Sequence, residues 1–358
     1  MKILVLDDGN RGNLNQALGI AERLPGAEIE KVAVPTHSFL VRVTLVLAAN
    51  LVNIIPLFKV RFLLRHFARI LPVSSSPGPA AIISAGSRLA PVNILLSRYN
   101  SARSFQILYP DFIRLRLFDL LVLPEHDLAR YPKVAVAKNL MLIKGATNRI
   151  IPSGLMNQAP TNPESGGSIY RTRIAVLVGG DDKNYQISEG WAEELSRRLA
   201  EISEKLPARI YLTTSRRTNR KVEDLFRKLL GNEPEKFNLV LYGDNFANPV
   251  AEFLAAADLI ITTEDSINMV SESASSGKPT VALKVERKHQ RRLVFDRALE
   301  NLAAENYIRF WPLEGFTLSN IIETISNPDR KVLAETEKVA AKVLELLKGQ
   351  EMISVLSR

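Results

Sequence analysis

The residues with the clearest chemical capacity follow short apolar runs in the second half of the chain. In "LVGGDDKNYQIS", Gly179 and Gly180 come directly after such a run, with Lys183 three residues on. Glycines there let the backbone approach a diphosphate, and Lys183 adds a cation beside a helix start. Asp181 and Asp182 would oppose an anion unless they point away or cap the helix, and a plain tight turn is the alternative. In "YLTTSRRTNRK", Thr213, Thr214 and Ser215 offer hydroxyls, while Arg216 and Arg217 offer forked donors that suit phosphate. In "TTEDSINMVSESASSGKP", Asp265 or Ser266 is a good helix N-cap and Gly277 a good C-terminal stop. Glu264 and Asp265 thus read as cap residues whose charge makes this helix a poor phosphate holder. Glu272 lies seven residues after Asp265, near the same helix face, where its carboxylate could accept hydrogen bonds from a ribose diol.

The first half carries three further loops. "LDDGNRGNLNQALG" holds Asp8, Gly9, Gly12, Asn13 and Gln16, but it departs from G-x-G-x-x-G and so gives no dinucleotide fingerprint. "IISAGSRLAP" sets Arg88 beside a turn at Gly86. "LLVLPEHDLARYP" places Glu125, His126 and Asp127 just beyond an apolar run, where His126 is either a general base oriented by a carboxylate or a structural histidine. The cluster is too compact for a metal site, and the absence of cysteine excludes thiolate zinc sites and cysteine nucleophiles.

These loops need a scaffold that brings strand ends together. "KILVL", "AEIEKVAV", "AAIISA", "SFQIL" and "DLLVL", then "RIAVLV", "ARIYLT", "FNLVLY", "DLIITT" and "TVALKV", read as short buried strands alternating with amphipathic helices. Such alternation predicts an α/β chain of two doubly wound domains with a crevice between them and ligands at the carboxyl ends of the strands. The expected division is 1–151 with a basic apolar segment at 38–73, a linker rich in Pro, Gly, Asn and Ser at 152–170, a second domain at 171–328, and a C-terminal helix at 329–350.

Charge is unevenly placed. From Lys31 to Pro110 there are nine basic residues and no acid, while the rest of the chain carries 38 basic and 38 acidic residues. Within that stretch the uncharged run from 43 to 58 is 16 residues long, short of the roughly 20 that a spanning helix needs. A helix lying in an anionic membrane surface, with Phe58, Phe62, Leu63 and Phe67 down and Arg61, Arg65 and Arg69 at the edge, competes with a buried helix pair that has a solvated basic rim. No nucleic-acid-binding motif accompanies the charge. Zero cysteines and a short N-terminal apolar run place the protein in the cytoplasm, peripheral to the membrane's inner face where the basic segment docks.

In this order, "DDGNRGNLNQALGIAERL", "IISAGSRLAP", "FDLLVLPEHD", "LVGGDDKNYQIS", "LTTSRRT" and "TTEDSINMVSESASSGKP" resemble the plant mitochondrial-fission-factor-like family, widespread in bacteria and grouped with glycosyltransferases. That family is similar in turn to GT-B-fold glycosyltransferases, including the N-acetylglucosaminyltransferase of peptidoglycan precursor synthesis. The resemblance implies a C-terminal domain that binds a nucleotide-sugar donor without a metal or other cofactor. Glu272 would hold the ribose, with Gly179, Gly180, Ser215, Arg216 and Ser266 nearby. It implies that the N-terminal domain, with Gly9, Gly12, Asn13, Gln16, Gly86 and Arg88, takes a membrane-associated or lipid-linked acceptor. The family often carries His where this chain has Asn13 and Asn148, which leaves Asp8, Glu125, His126 and Asp127 as candidate bases. A nucleotide-sugar 2-epimerase and a non-catalytic membrane-peripheral adaptor are the competing expectations.

Overall fold

Continuous apolar runs of four to six residues suit strands buried on both faces, which are the strands of parallel sheets. The computed structural model describes residues 1–36, 38–69, 78–155, 171–244, 248–327 and 329–356. Residues 70–73 of the basic segment and 156–170 of the expected linker lie outside the described residues. The chain divides into two units, Met1–Arg149 with Ala334–Arg358, and Ile150–Leu333.

In the first unit β1 (Lys2–Asp7), β2 (Glu28–Ala33), β3 (Ala81–Ala85), β4 (Arg103–Ile107), β5 (Leu120–Pro124) and β6 (Leu140–Ile143) form a parallel sheet in the order β2-β1-β3-β4-β5-β6. Helices α1 (Arg11–Ala21), α2 (Phe39–Asn50), α3 (Leu57–Phe62) and α4 (Ala90–Asn100) cover it. Asn10 caps α1, its Oδ1 accepting from the Gly12 and Asn13 amides. The strand order reverses between β1 and β3, so the loops after these two strands flank the switch point where such sheets bind ligands.

The second unit opens with α5 (Pro152–Leu155) and β7 (Thr172–Leu177). Two-residue β8 (Tyr185–Gln186), then α6 (Glu189–Lys205), β9 (Ala208–Thr213), α7 (Arg220–Leu230), β10 (Phe237–Val240), α8 (Val250–Ala256), β11 (Leu259–Thr263), α9 (Ile267–Ser275) and β12 (Thr280–Leu283) follow. β13 (Glu286–Arg287), α10 (Val294–Ala304), β14 (Arg309–Trp311) and α11 (Leu318–Ser326) complete it. Its parallel sheet runs β10-β9-β7-β11-β12-β14, the strand order of Rossmann-type doubly wound sheets, with β13 and β8 paired antiparallel in a separate ribbon. Here the switch point lies between β7 and β11.

The terminal helix, α12 (Glu335–Leu356), belongs to the first unit. Val339, Ala340, Val343 and Leu347 are buried with Ile3, Val5, Ala17 and Ile20. The Asn148 amide donates to Thr336 Oγ1 at 2.9 Å, and Arg23 Nε donates to Glu337 at 2.7 Å.

Candidate functional site

The acids at the switch point of the second unit are mostly committed to the protein itself. Ser266 alone caps α9, accepting from the Met269 amide. Asp265, read from the sequence as a cap, turns away from the helix. Its fully buried carboxylate accepts from the Gly180 amide at 3.0 Å, the Thr263 hydroxyl at 2.6 Å and Arg217 Nη2 at 2.7 Å. Glu264 is not a cap either. It is buried, and it accepts from the Val285 amide and from Arg287 Nη2, while Arg287 also forks onto Asp296 at 2.7 and 2.8 Å. Burial pushes the Glu264 carboxyl up, against the pull of Arg287.

The same bonds revise the expected diphosphate cradle. The Gly179 amide donates to Thr263 Oγ1, the Gly180 amide to Asp265, and the Asp181 amide to the Arg217 carbonyl. With those donors taken, the Gly179–Gly180 loop has no free amide for an anion. Glycine is needed there for packing: a β-carbon on Gly179 would lie 2.2 Å from either Asp265 carboxylate oxygen, and one on Gly180 would lie 2.2 Å from the Arg217 carbonyl carbon. Asp181 and Asp182 accept from the amides of Ile187, Asn184 and Tyr185, so both brace the following turn. Arg217 is likewise locked, with a second bond to the Gly180 carbonyl. The Thr214 hydroxyl donates to buried Glu223, and Ser215 Oγ accepts from the Arg217 amide.

What stays open on this rim is short. Lys183 and Arg216 are exposed, and neither has an ion pair or side-chain hydrogen bond among the described residues. Glu272 is half-buried on α9 and has no hydrogen bond or ion pair among them. Burial pushes its carboxyl up to about 7.

In the first unit the switch point gathers the loop residues after β1 and β3. Asp7 and Asp8 accept from the Gly9 and Asn10 amides, and Gly9 takes the left-handed conformation that the turn needs. Asn13 on α1 packs on Gly86, where an added β-carbon would lie 2.6 Å from Asn13 Nδ2. Arg88 is exposed beside them, and buried Gln16 lies one turn further along α1. Asn148, where the family often has His, is buried against α1 and α12.

Glu125, His126 and Asp127 start a 3₁₀ turn after β5. β5 lies three strands from β1, roughly 14 Å across the sheet, so Asp8 and His126 do not share one site. Burial lowers the His126 imidazole to about 4 and raises the Asp127 carboxyl, leaving His126 neutral and almost covered at pH 7.

The mitochondrial fission ELM1 family matches residues 11–347. The chain belongs to that family. It is 28% identical to an uncharacterized protein of Rickettsia prowazekii, over 78% of this chain and 82% of that one. It is 24% identical to mitochondrial fission protein ELM1 of Arabidopsis thaliana, over 56% of this chain and 51% of that one. Among solved structures, the UDP-GlcNAc 2-epimerase of Methanocaldococcus jannaschii in complex with UDP-GlcNAc and UDP superposes with a TM-score of 0.54 at 14% identity, covering 97% of this chain and 99% of that one. The UDP-GlcNAc 2-epimerase of Neisseria meningitidis bound to UDP-GlcNAc superposes at 0.51 and 12% identity, covering 96% and 100%. At such identities the likeness establishes the fold: two Rossmann-type halves of the GT-B kind.

Sequence reasoning missed Arg287 and Asp296. Arg287 bridges Asp296 and Glu264, which lies 23 residues away, and no local pattern links them. Among the described residues no group of three His, Asp or Glu side chains converges on a metal position, and no helix is long and apolar enough to cross a membrane.

Proposed function

We propose that this family member is a glycosyltransferase that moves a sugar from a nucleoside diphosphate to a membrane-associated acceptor. The observation that carries the donor assignment is Glu272. The neighbouring acids Glu264 and Asp265 have internal cations, whereas this half-buried carboxyl has no partner among the described residues and so suits a ribose diol. With the Gly179–Gly180 amides committed, the diphosphate is assigned to the amino end of α9 and to the exposed cations Arg216 and Lys183. Asp265 is neutralised by Arg217, and Arg287 is shared between Glu264 and Asp296, which lessens the electrostatic objection to an anion at that helix. No divalent cation or other cofactor is needed for this arrangement.

The first unit takes the acceptor at its own switch point. In this reading Asp8, which lies in the loop after β1, rather than His126, accepts the proton of an acceptor hydroxyl as its oxygen attacks the anomeric carbon and the nucleoside diphosphate departs. Membrane attachment falls to α2 and α3. Phe39 and Leu40 are each 76% exposed, Ile54 79% and Phe58 70%, and Arg42, Lys59, Arg61 and Arg65 stand exposed along the same segment without ion pairs among the described residues. Leu63 and Phe67, expected on the lipid side, pack partly against the core instead.

A panel of nucleotide sugars titrated calorimetrically into the protein tests the donor site, and no binding by any of them contradicts it. Because UDP-GlcNAc 2-epimerases share the fold, epimerisation without an acceptor is the second reading. Product analysis with donor alone separates the two: an epimerised donor favours the second. Vesicle flotation together with absent nucleotide binding leaves a non-catalytic adaptor.

A further inference from the structure

Four cations of the first unit converge on a groove that the proposed reaction does not use. The chain between β4 and β5 turns at Leu115–Leu117, and the chain between β5 and β6 turns at Pro132–Val136. Asn139 pins these turns together, donating from Nδ2 to the Leu115 carbonyl at 2.9 Å and to the Phe118 carbonyl at 2.7 Å. Tyr109 stacks on Tyr131 with ring centroids 3.8 Å apart and planes 12° from parallel, which braces the same two segments. The result is an open groove of about 680 Å³ whose walls carry Arg114, Arg116, Lys133 and Lys138. All four side chains are exposed, and none has an ion pair or side-chain hydrogen bond among the described residues. Asp119, the acid that follows the first turn, is held by Arg103 and does not neutralise them. Cations gathered without counter-charge repel one another and raise the potential of the groove they line, which draws in an anion.

The rim of the groove is apolar. Val136 on its wall and Phe112, two residues before Arg114, are each 86% exposed. Asn50, the last residue of α2, accepts from the Arg114 amide at 2.9 Å and donates to the Phe112 carbonyl at 2.8 Å. The groove is therefore tied to the helix whose exposed apolar side chains face outward. A free anion would need the cations alone; an apolar rim continuous with α2 suits an anion that carries acyl chains.

We propose that this groove binds the multiply phosphorylated headgroup of an anionic membrane lipid, which fixes how the first unit sits on the bilayer. The proposal rests on the membrane reading of α2 and α3 and adds to it a headgroup site with its own residues.

The test is flotation of the full chain with phosphatidylcholine vesicles containing either phosphatidylglycerol, with one phosphate, or cardiolipin, with two, at matched phosphate content. Wild type is expected to prefer the cardiolipin vesicles. Arg116→Gln combined with Lys138→Gln should melt like wild type, bind phosphatidylglycerol vesicles within about twofold, and lose at least about fivefold on cardiolipin. Phe58→Ser combined with Phe62→Ser should weaken both. A wild type that shows no preference, or a groove variant that keeps it, overturns the headgroup site while leaving the membrane reading intact. A wild type that floats with neither vesicle overturns both. Calorimetric binding of inorganic pyrophosphate that depends on Arg116 and Lys138, without vesicle preference, identifies a soluble anion and overturns the lipid assignment.

Discussion

The two units use the same architecture and dispose of their charge in opposite ways. At the carboxyl rim of the second sheet, Asp265 has Arg217, Glu264 and Asp296 share Arg287, and Glu223 has Thr214, so charge there is structure. In the first unit the cations of α2, α3 and the groove formed by the β4–β5 and β5–β6 connections have no such partners among the described residues, so charge there is surface. A charged side chain with an internal partner holds the fold, and one without a partner is available to a ligand. Glu272, Lys183 and Arg216 depart from this on the second rim, having no partner among the described residues, and they are the side chains the proposed donor site uses.

The largest effect expected from breaking this contrast is at Arg287. Arg287→Ala leaves two buried carboxylates without their cation and should cost about 3–5 kcal/mol in denaturant unfolding. A loss under 1 kcal/mol would show that the network is only decorative.

Next is Glu272, whose proton is bound more tightly in the folded than in the unfolded chain. Its raised carboxyl lets the native state keep a proton that the unfolded state releases, so stability falls as pH rises from about 4.5 to 7. Glu272→Gln should therefore stabilise the protein at pH 8 by up to about 3 kcal/mol and make no difference below pH 4.5, as read from unfolding curves at the two pH values.

Arg61→Ala with Arg65→Ala should leave stability within about 0.5 kcal/mol and weaken binding to anionic vesicles, with the deficit shrinking as salt is added. Smallest of all is Tyr185→Phe. The buried Tyr185 hydroxyl makes no hydrogen bond among the described residues, so its removal should be neutral or slightly stabilising in the same unfolding assay.

The strand-helix alternation was legible because strands buried on both faces must be apolar throughout, and β1 to β5, β7 and β9 to β12 sit at the expected runs; β2, expected as buried, is instead an exposed edge strand in which Glu28, Glu30 and Lys31 face solvent. Two short edge strands were not singled out: β6 is a half-exposed apolar run of four residues and β14 a half-exposed run of three. The docking of α12 on the first unit was invisible for a different reason, since helical periodicity reports a face and says nothing of which sheet covers it. The loops of the candidate site were legible as positions at strand ends. Their chemistry was legible only in part, because an acid before a helix reads as a cap until a cation far along the chain claims it. Asp265 met Arg217 across 48 residues of sequence, and Ser266 took the cap.

The central claim is that Glu272 holds a ribose diol, and it is tested most directly by titrating uridine diphosphate and its 2′,3′-dideoxy analogue into wild type and Glu272→Ala. Wild type should prefer the diol by about tenfold or more, and the variant should bind both nucleotides with equal, weaker affinity. A preference for the diol that persists undiminished in Glu272→Ala would contradict the assignment.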